Sequence, residues 1–119
     1  MADDATDATD ASDATDATDP TDTNDPWMTQ ETHDLAAAVA GLESQEEALR
    51  FLRDLCTVRE LQELGQRWHV ARLLADGVPY QQISEQTGAS SATVSRVNQW
   101  LRYGRSGYRA LIDRLARSR

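Results

Sequence analysis

The stretch of this sequence most suited to chemistry runs from Tyr80 to Trp100: Tyr-Gln-Gln-Ile-Ser-Glu-Gln-Thr-Gly-Ala-Ser-Ser-Ala-Thr-Val-Ser-Arg-Val-Asn-Gln-Trp. Its spacing suits recognition of a polyanion rather than bond making. A short first helix needs one inward apolar residue, and Ile83 supplies it. Ser84 beside it is small enough to let a second helix approach. Gly88 tolerates the positive φ that a tight turn demands. Ser90 or Ser91 can then accept a backbone N–H as the next helix starts. That second helix must bury Val94 and Val97, which leaves Ser91, Ala92, Ser95, Arg96 and Gln99 on its other face. Such a face is small and polar with one long cation, and it can enter a DNA major groove. The expected DNA-facing set is Ser90, Ser91, Ala92, Thr93, Ser95, Arg96, Gln99 and Arg102. A plain helical hairpin also carries a turn glycine and spaced apolar residues. The agreement of all positions with a helix-turn-helix, and the Ser/Thr-rich start of its second helix, favour DNA.

Other reactive residues point elsewhere than catalysis. His33 and His69 are far apart and fit no metal-ligand spacing, so no metal is expected. Cys56 follows an apolar stripe without an adjacent base, and reads as a small buried hydrophobe rather than a nucleophile. Trp68 and Trp100 read as core, while the placement of Trp27 is open. Tyr103, Arg105 and Arg109 could touch phosphate at a groove edge or be solvated helix ends. No Gly-rich phosphate loop and no Ser-His-Asp set can be assembled, so the chain is not expected to be an enzyme.

The elements that must position the motif are helical. Leu35, Val39 and Leu42 share one face, and Gly41 marks a stop. Ser44 and Glu47 have capping-box spacing, as do Thr57 and Glu60. Leu49, Leu52 and Leu55 form the stripe of the next helix. The helix after it is apolar on several sides (Leu61, Leu64, Trp68, Val70, Ala71, Leu73, Leu74), which predicts burial from several sides, part of it by a second subunit. Gly77 and Pro79 end it. The expected body is all-α, with six helices over 29–41, 45–55, 58–76, 80–86, 91–102 and 106–117.

The chain has 119 residues and a formal net charge of -8, a length that suits one domain. One cysteine excludes a disulfide framework. No run reaches the roughly 18 apolar residues of a membrane span. The N-terminus lacks the basic and apolar regions of a secretory signal, so a soluble intracellular protein is expected. The charge is uneven. Residues 1–26 carry nine Asp and no Arg in a near-repeat of Asp-Ala-Thr, whereas Leu64 to Arg119 carries nine Arg against three acidic residues, a balance of +6. The repeat lacks the apolar surface to offset ordering entropy and is expected to be a disordered acidic tail over 1–26, preceding a helical domain over 27–119. All 12 basic residues are Arg, which forks onto phosphate and guanine; a genome rich in G and C explains the same bias.

Further positions extend the pattern: Leu64-Gly-x-Arg67, Leu73-Leu74, Gly88-Ala89 and Ala92-Thr93-Val94-Ser95-Arg96, with Phe51, Asp54-Leu-Cys-Thr57, Gln66, Val70-Ala71, Thr87-Gly-Ala-Ser90, Leu101, Tyr103-Gly104 and Tyr108. Over about residues 30–115 these resemble the tryptophan repressor family, and most closely its YerC/YecD branch. The resemblance implies an all-helical intertwined homodimer that regulates transcription. It also implies a ligand set at Thr57, Arg67, Thr93 and Arg96, whose residue types match those around the repressor's tryptophan pocket. Each has a plainer role open to it: Thr57 as a helix cap, Arg67 and Arg96 as partners of acidic groups or phosphate. Val97 stands where the repressor has Gly, and Trp100 where it has Ser. Val97 intrudes on the space an indole ring needs, and Trp100 offers a built-in indole in its place. No cofactor is therefore expected, and L-tryptophan is not expected as corepressor.

Two functions follow from these features. One is a sequence-specific DNA-binding regulator, a repressor by resemblance, that acts as a helix-turn-helix homodimer on double-stranded DNA in the nucleoid-associated cytoplasm, away from any membrane. The other is a helical protein-interaction module with an acidic tail and no specific DNA target.

Overall fold

The computed structural model describes residues 25–118, which form six α-helices and, among the described residues, no strand. These are α1 (Gln30–Ala40), α2 (Gln45–Leu55), α3 (Val58–Ala75), α4 (Tyr80–Thr87), α5 (Ser91–Tyr103) and α6 (Gly107–Arg117). The all-α class and the helix count agree with the sequence reading, with each boundary within one residue of the expected span. The tail expected over 1–26 lies almost wholly outside the described residues. Contacts divide the described chain into an N-terminal unit ending at Leu64 and a C-terminal unit starting at Gly65.

In the N-terminal unit each helix starts where a side chain takes over an orphan backbone donor. Thr29 Oγ1 accepts the Thr32 N–H at 3.0 Å to open α1. Ser44 Oγ accepts the Glu47 N–H at 3.0 Å to open α2. Glu47 Oε1 then accepts from the Glu43 N–H at 2.8 Å, one residue before the Ser44 donor of a regular capping box. At α3 the box is regular: Glu60 N–H donates to Thr57 Oγ1 at 3.0 Å, and Thr57 N–H donates to Glu60 Oε1 at 2.8 Å. Neither α1 nor α2 contains a fully buried residue. Leu35, Val39, Leu49, Leu55, Val58 and Leu64 are all at least 40% exposed. The apolar stripes read from the sequence are thus present, and among the described residues most of their members stand open.

The C-terminal unit holds the core. Val70, Ala71, Ile83, Ala89, Val94 and Val97 are buried together, and Leu73, Leu74, Val78, Trp100, Tyr108 and Ile112 pack around them. α3 stops in a Schellman motif, with Gly77 at φ 82°. The Val78 N–H reaches Leu73 O at 3.1 Å and the Gly77 N–H reaches Leu74 O at 3.0 Å. Val78 and Leu73 both reach the core, the apolar contact that this motif usually brings. Pro79 follows and directs the chain into α4.

Two aromatic residues and a cysteine differ from expectation. Trp68 and Trp100 are half-buried rather than core, because each forms a wall of an open apolar depression. Cys56 is also half-buried, because it stands at the C-terminal cap of α2, where Arg53 Nη1 donates to its carbonyl at 2.9 Å.

Candidate nucleic-acid interface

The helix-turn-helix forms as its residues require. Ile83 is fully buried on α4, and Val94 and Val97 are fully buried on α5. Gly88 adopts the left-handed conformation at φ 78°, and its N–H closes α4 on Ser84 O. An alanine there would meet no atom within 4 Å, so its cost is conformational rather than steric. Thr87 fastens the turn from within: its hydroxyl donates to Ile83 O at 2.8 Å and accepts the Ala89 N–H at 3.1 Å. Gln66 on α3 fastens it from outside, with Nε2 donating to Thr87 O at 3.1 Å. Gln66 belongs to the family pattern, but sequence reasoning missed its bond to Thr87, because a bond across 21 positions leaves no trace in local periodicity.

Ser90 is the N-cap of α5. Its Oγ accepts the Thr93 N–H at 3.1 Å, and its hydroxyl donates to Thr93 Oγ1 at 3.1 Å. Thr93 is half-buried, so its hydroxyl belongs to the cap more than to the surface. Ser90, Ser91, Ala92, Ser95, Arg96, Gln99 and Arg102 are all exposed. Seven of the eight expected DNA-facing residues therefore stand on open surface, with buried Val94, Val97 and Leu101 on the other side of the same helix. Arg102 Nε donates to Asn98 Oδ1 at 3.1 Å, which steadies its long side chain.

Three open depressions surround α5. One, of about 510 Å³, lies beside the turn and is lined by Tyr80, Gln81, Ser84, Ala89, Ser90 and Ser91. A second, of about 380 Å³, lies at the far end of the helix, where Arg102 and Tyr103 meet Ser106 and Arg109. The third, of about 520 Å³, is apolar and is walled by Trp68, Trp100, Tyr108 and Leu111, with Gly104, Arg105 and Gly107 at its edge. Trp68 and Tyr108 stack there with ring centres 6.3 Å apart. Burial raises the Tyr108 pKa above its ordinary value, and the Arg67 charge partly offsets that. Gly104 caps the C-terminal end of α5, where an added Cβ would collide with Trp100 O of the same helix.

The four residues of the implied ligand set have separate occupations. Thr57 Oγ1 caps α3 in the N-terminal unit. Arg67 acts on Tyr108, Thr93 serves the Ser90 cap, and Arg96 is exposed. Arg67, Thr93 and Arg96 line none of the three depressions. Val97 is fully buried in the core, and Trp100 packs against it. Among the described residues no group of three or more His, Cys, Asp or Glu could hold a metal ion. No described helix is long and apolar enough to cross a membrane.

This surface belongs to a recognisable lineage. Residues 30–116 match the family described as Trp repressor protein. The chain belongs to the Trp repressor family. Among its relatives is YerC of Bacillus subtilis (strain 168), itself uncharacterized, which is 44% identical over 86 residues spanning 72% of this chain and 83% of YerC. A solved TrpR-like protein from Eubacterium eligens ATCC 27750 is 43% identical with a TM-score of 0.70, covering 74% of this chain and 91% of that one. A Trp repressor candidate from Staphylococcus aureus is 40% identical with a TM-score of 0.70, covering 74% and 88%. The matched span takes in the six helices of this Trp repressor family member, save Arg117 at the end of α6, and leaves its acidic N-terminal segment outside.

Proposed function

We propose that this Trp repressor family member is a sequence-specific DNA-binding transcriptional regulator, a repressor by kinship, that works as a homodimer. The observation that carries the reading is the two-sidedness of α5. Val94, Val97 and Leu101 anchor one side in the core, while Ser91, Ala92, Ser95, Arg96 and Gln99 stand exposed on the other. A rigidly seated helix with a small polar ridge can enter a major groove and bring Arg96 to a guanine edge or a phosphate. The homodimer is supported by the uncovered apolar residues of the N-terminal unit and by the open apolar depression of the C-terminal unit. Burying such surface is the main driving force of association. Regulation of DNA places the protein in the cytoplasm with the nucleoid, and no catalytic step is assigned to it.

Tryptophan has no part in this proposal: Val97 stands where the repressor has Gly and Trp100 where it has Ser, and both are larger side chains that would compete with an indole for space. The test is selection of binding sites from random duplex DNA, followed by fluorescence anisotropy on the selected sequence and on a scrambled one at two salt concentrations. Enrichment of a two-fold symmetric site, with retention that weakens as salt rises, is the expected result. No enrichment and no retention at low salt would overturn the reading and favour the protein-interaction module.

A further inference from the structure

The C-terminal unit holds more arginine than acid in its sequence. Between Gly65 and Ser118 eight arginines stand against Asp76, Glu85 and Asp113. Arg96, Arg102 and Arg109 are exposed, and Arg102 and Arg109 line one polar depression together with Tyr103, which is 63% exposed. Arg109 has an acidic neighbour, Asp113, at 3.8 Å. That pair is about half exposed, and such surface pairs bind weakly. At the other end of the chain, residues 1–24 hold eight aspartates and no basic side chain.

We propose that the acidic segment 1–24 is a built-in competitor that occupies the arginine-bearing face of the C-terminal unit through Arg96, Arg102 and Arg109, in place of nucleic acid. Carboxylate and phosphate offer a guanidinium the same paired oxygens, so one surface accepts both. The spacing is compatible. From Asp4 to Asp22 an aspartate recurs every third residue, a step of at most about 10 Å. Arg96 and Arg102 lie about 9 Å apart along the axis of α5 and about 120° apart around it, so they flank the exposed Ser95 and Gln99 and would be met by separate aspartates of the segment. Beyond Met1 and Pro20 the segment contains no apolar side chain larger than Ala, so charge is what holds it, and the contact is weak for each residue. Its covalent link compensates, since tethering through a short flexible linker gives an effective concentration on the order of millimolar. Nonspecific DNA, which also binds by charge, is then excluded more strongly than a specific site, which adds base contacts. The contact itself does not depend on the DNA-binding reading; only its regulatory consequence rests on it.

The experiment compares the full-length protein with a full-length variant carrying Asp→Asn at all eight aspartates of residues 1–24. Backbone and arginine side-chain NMR shifts at Arg96, Arg102 and Arg109 should differ between the two at low salt. They should converge at 1 M salt, where the Debye length is about 3 Å. Spectra that already overlay at low salt overturn the proposal and leave the segment as a solubiliser. On a random duplex, anisotropy should show the neutralised variant binding about tenfold more tightly at low salt, the factor for a face occupied about nine-tenths of the time. Equal affinities at low salt overturn the competitive role. If neither protein binds any duplex, the DNA reading fails, while the NMR comparison still decides whether the segment sits on the arginines.

Discussion

Arg96 carries the sharpest expectation at the scale of single residues. It is exposed on the face of α5 that bears Ser95 and Gln99, and Arg102 is the next cation along the helix. If its guanidinium forks onto a guanine edge, Arg96→Ala should weaken binding to the selected site by roughly 1–3 kcal/mol and relax the base preference at one position. If it holds phosphate instead, affinity should fall equally for all sequences, and the salt slope should drop by about one. Because Arg96 is exposed, its loss should leave the melting temperature within about 1–2 °C of the parent, which thermal denaturation checks. Unchanged affinity on every duplex would remove Arg96 from the interface. Arg67 behaves differently: it is half-buried, and its charge is felt by Tyr108.

At the scale of elements, the start of α5 is where fold and function meet. Ser90 holds the Thr93 N–H and Thr93 Oγ1 at once, so it fixes how the first turn of α5, the proposed reading helix, leaves the loop. Ser90→Ala should cost about 1 kcal/mol of stability in urea denaturation, the usual worth of an N-cap. It should also lower specific affinity more than nonspecific affinity, because Ser91 and Ala92 lose their fixed direction. An unchanged denaturation midpoint would show that the cap adds nothing. Helix limits were legible in the sequence where chemistry is local. Ser44, Thr57, Gly77 and Gly88 each mark an end by a side-chain acceptor or a left-handed residue, and the structure puts each at that task. The outward face of α5 was legible for the same reason, since a helical period with Val94 and Val97 inside leaves few choices for the outside. What depends on distant residues was not legible. Gln66 reaches Thr87 from another helix, and Trp68 meets Tyr108 across 40 positions, so neither contact follows from spacing. Nor could spacing show that Trp100 stays half-open, because that depends on what α6 leaves uncovered.

On the scale of the whole molecule, the surplus of uncovered apolar surface sets the expectation. Leu49 and Val58 are more than half exposed, and Leu64 is 40% exposed, while the buried core among the described residues lies after Gly65. Sedimentation at micromolar concentration should show a dimer, and Leu64→Asp should give aggregated or unfolded protein, since a charge forced into an interface is strongly unfavourable. A well-folded wild-type monomer at that concentration would exclude the homodimer. On the proposal that Val97 and Trp100, standing where the repressor has Gly and Ser, exclude tryptophan, calorimetry with millimolar L-tryptophan should give no saturable heat; saturable binding would overturn that proposal. The aromatic depression makes the assembly optically visible. Trp68 and Trp100 face a partly wet surface, and Trp68 lies 6.3 Å from the ring of Tyr108. If association closes that depression, both indoles lose water, and their emission should move to shorter wavelength on going from dilute to concentrated protein. Excitation absorbed by Tyr108 should emerge as indole light at every concentration, because its donor–acceptor pair lies within one unit. The colour of the fluorescence would then report assembly, while its excitation spectrum would report only that the unit is folded.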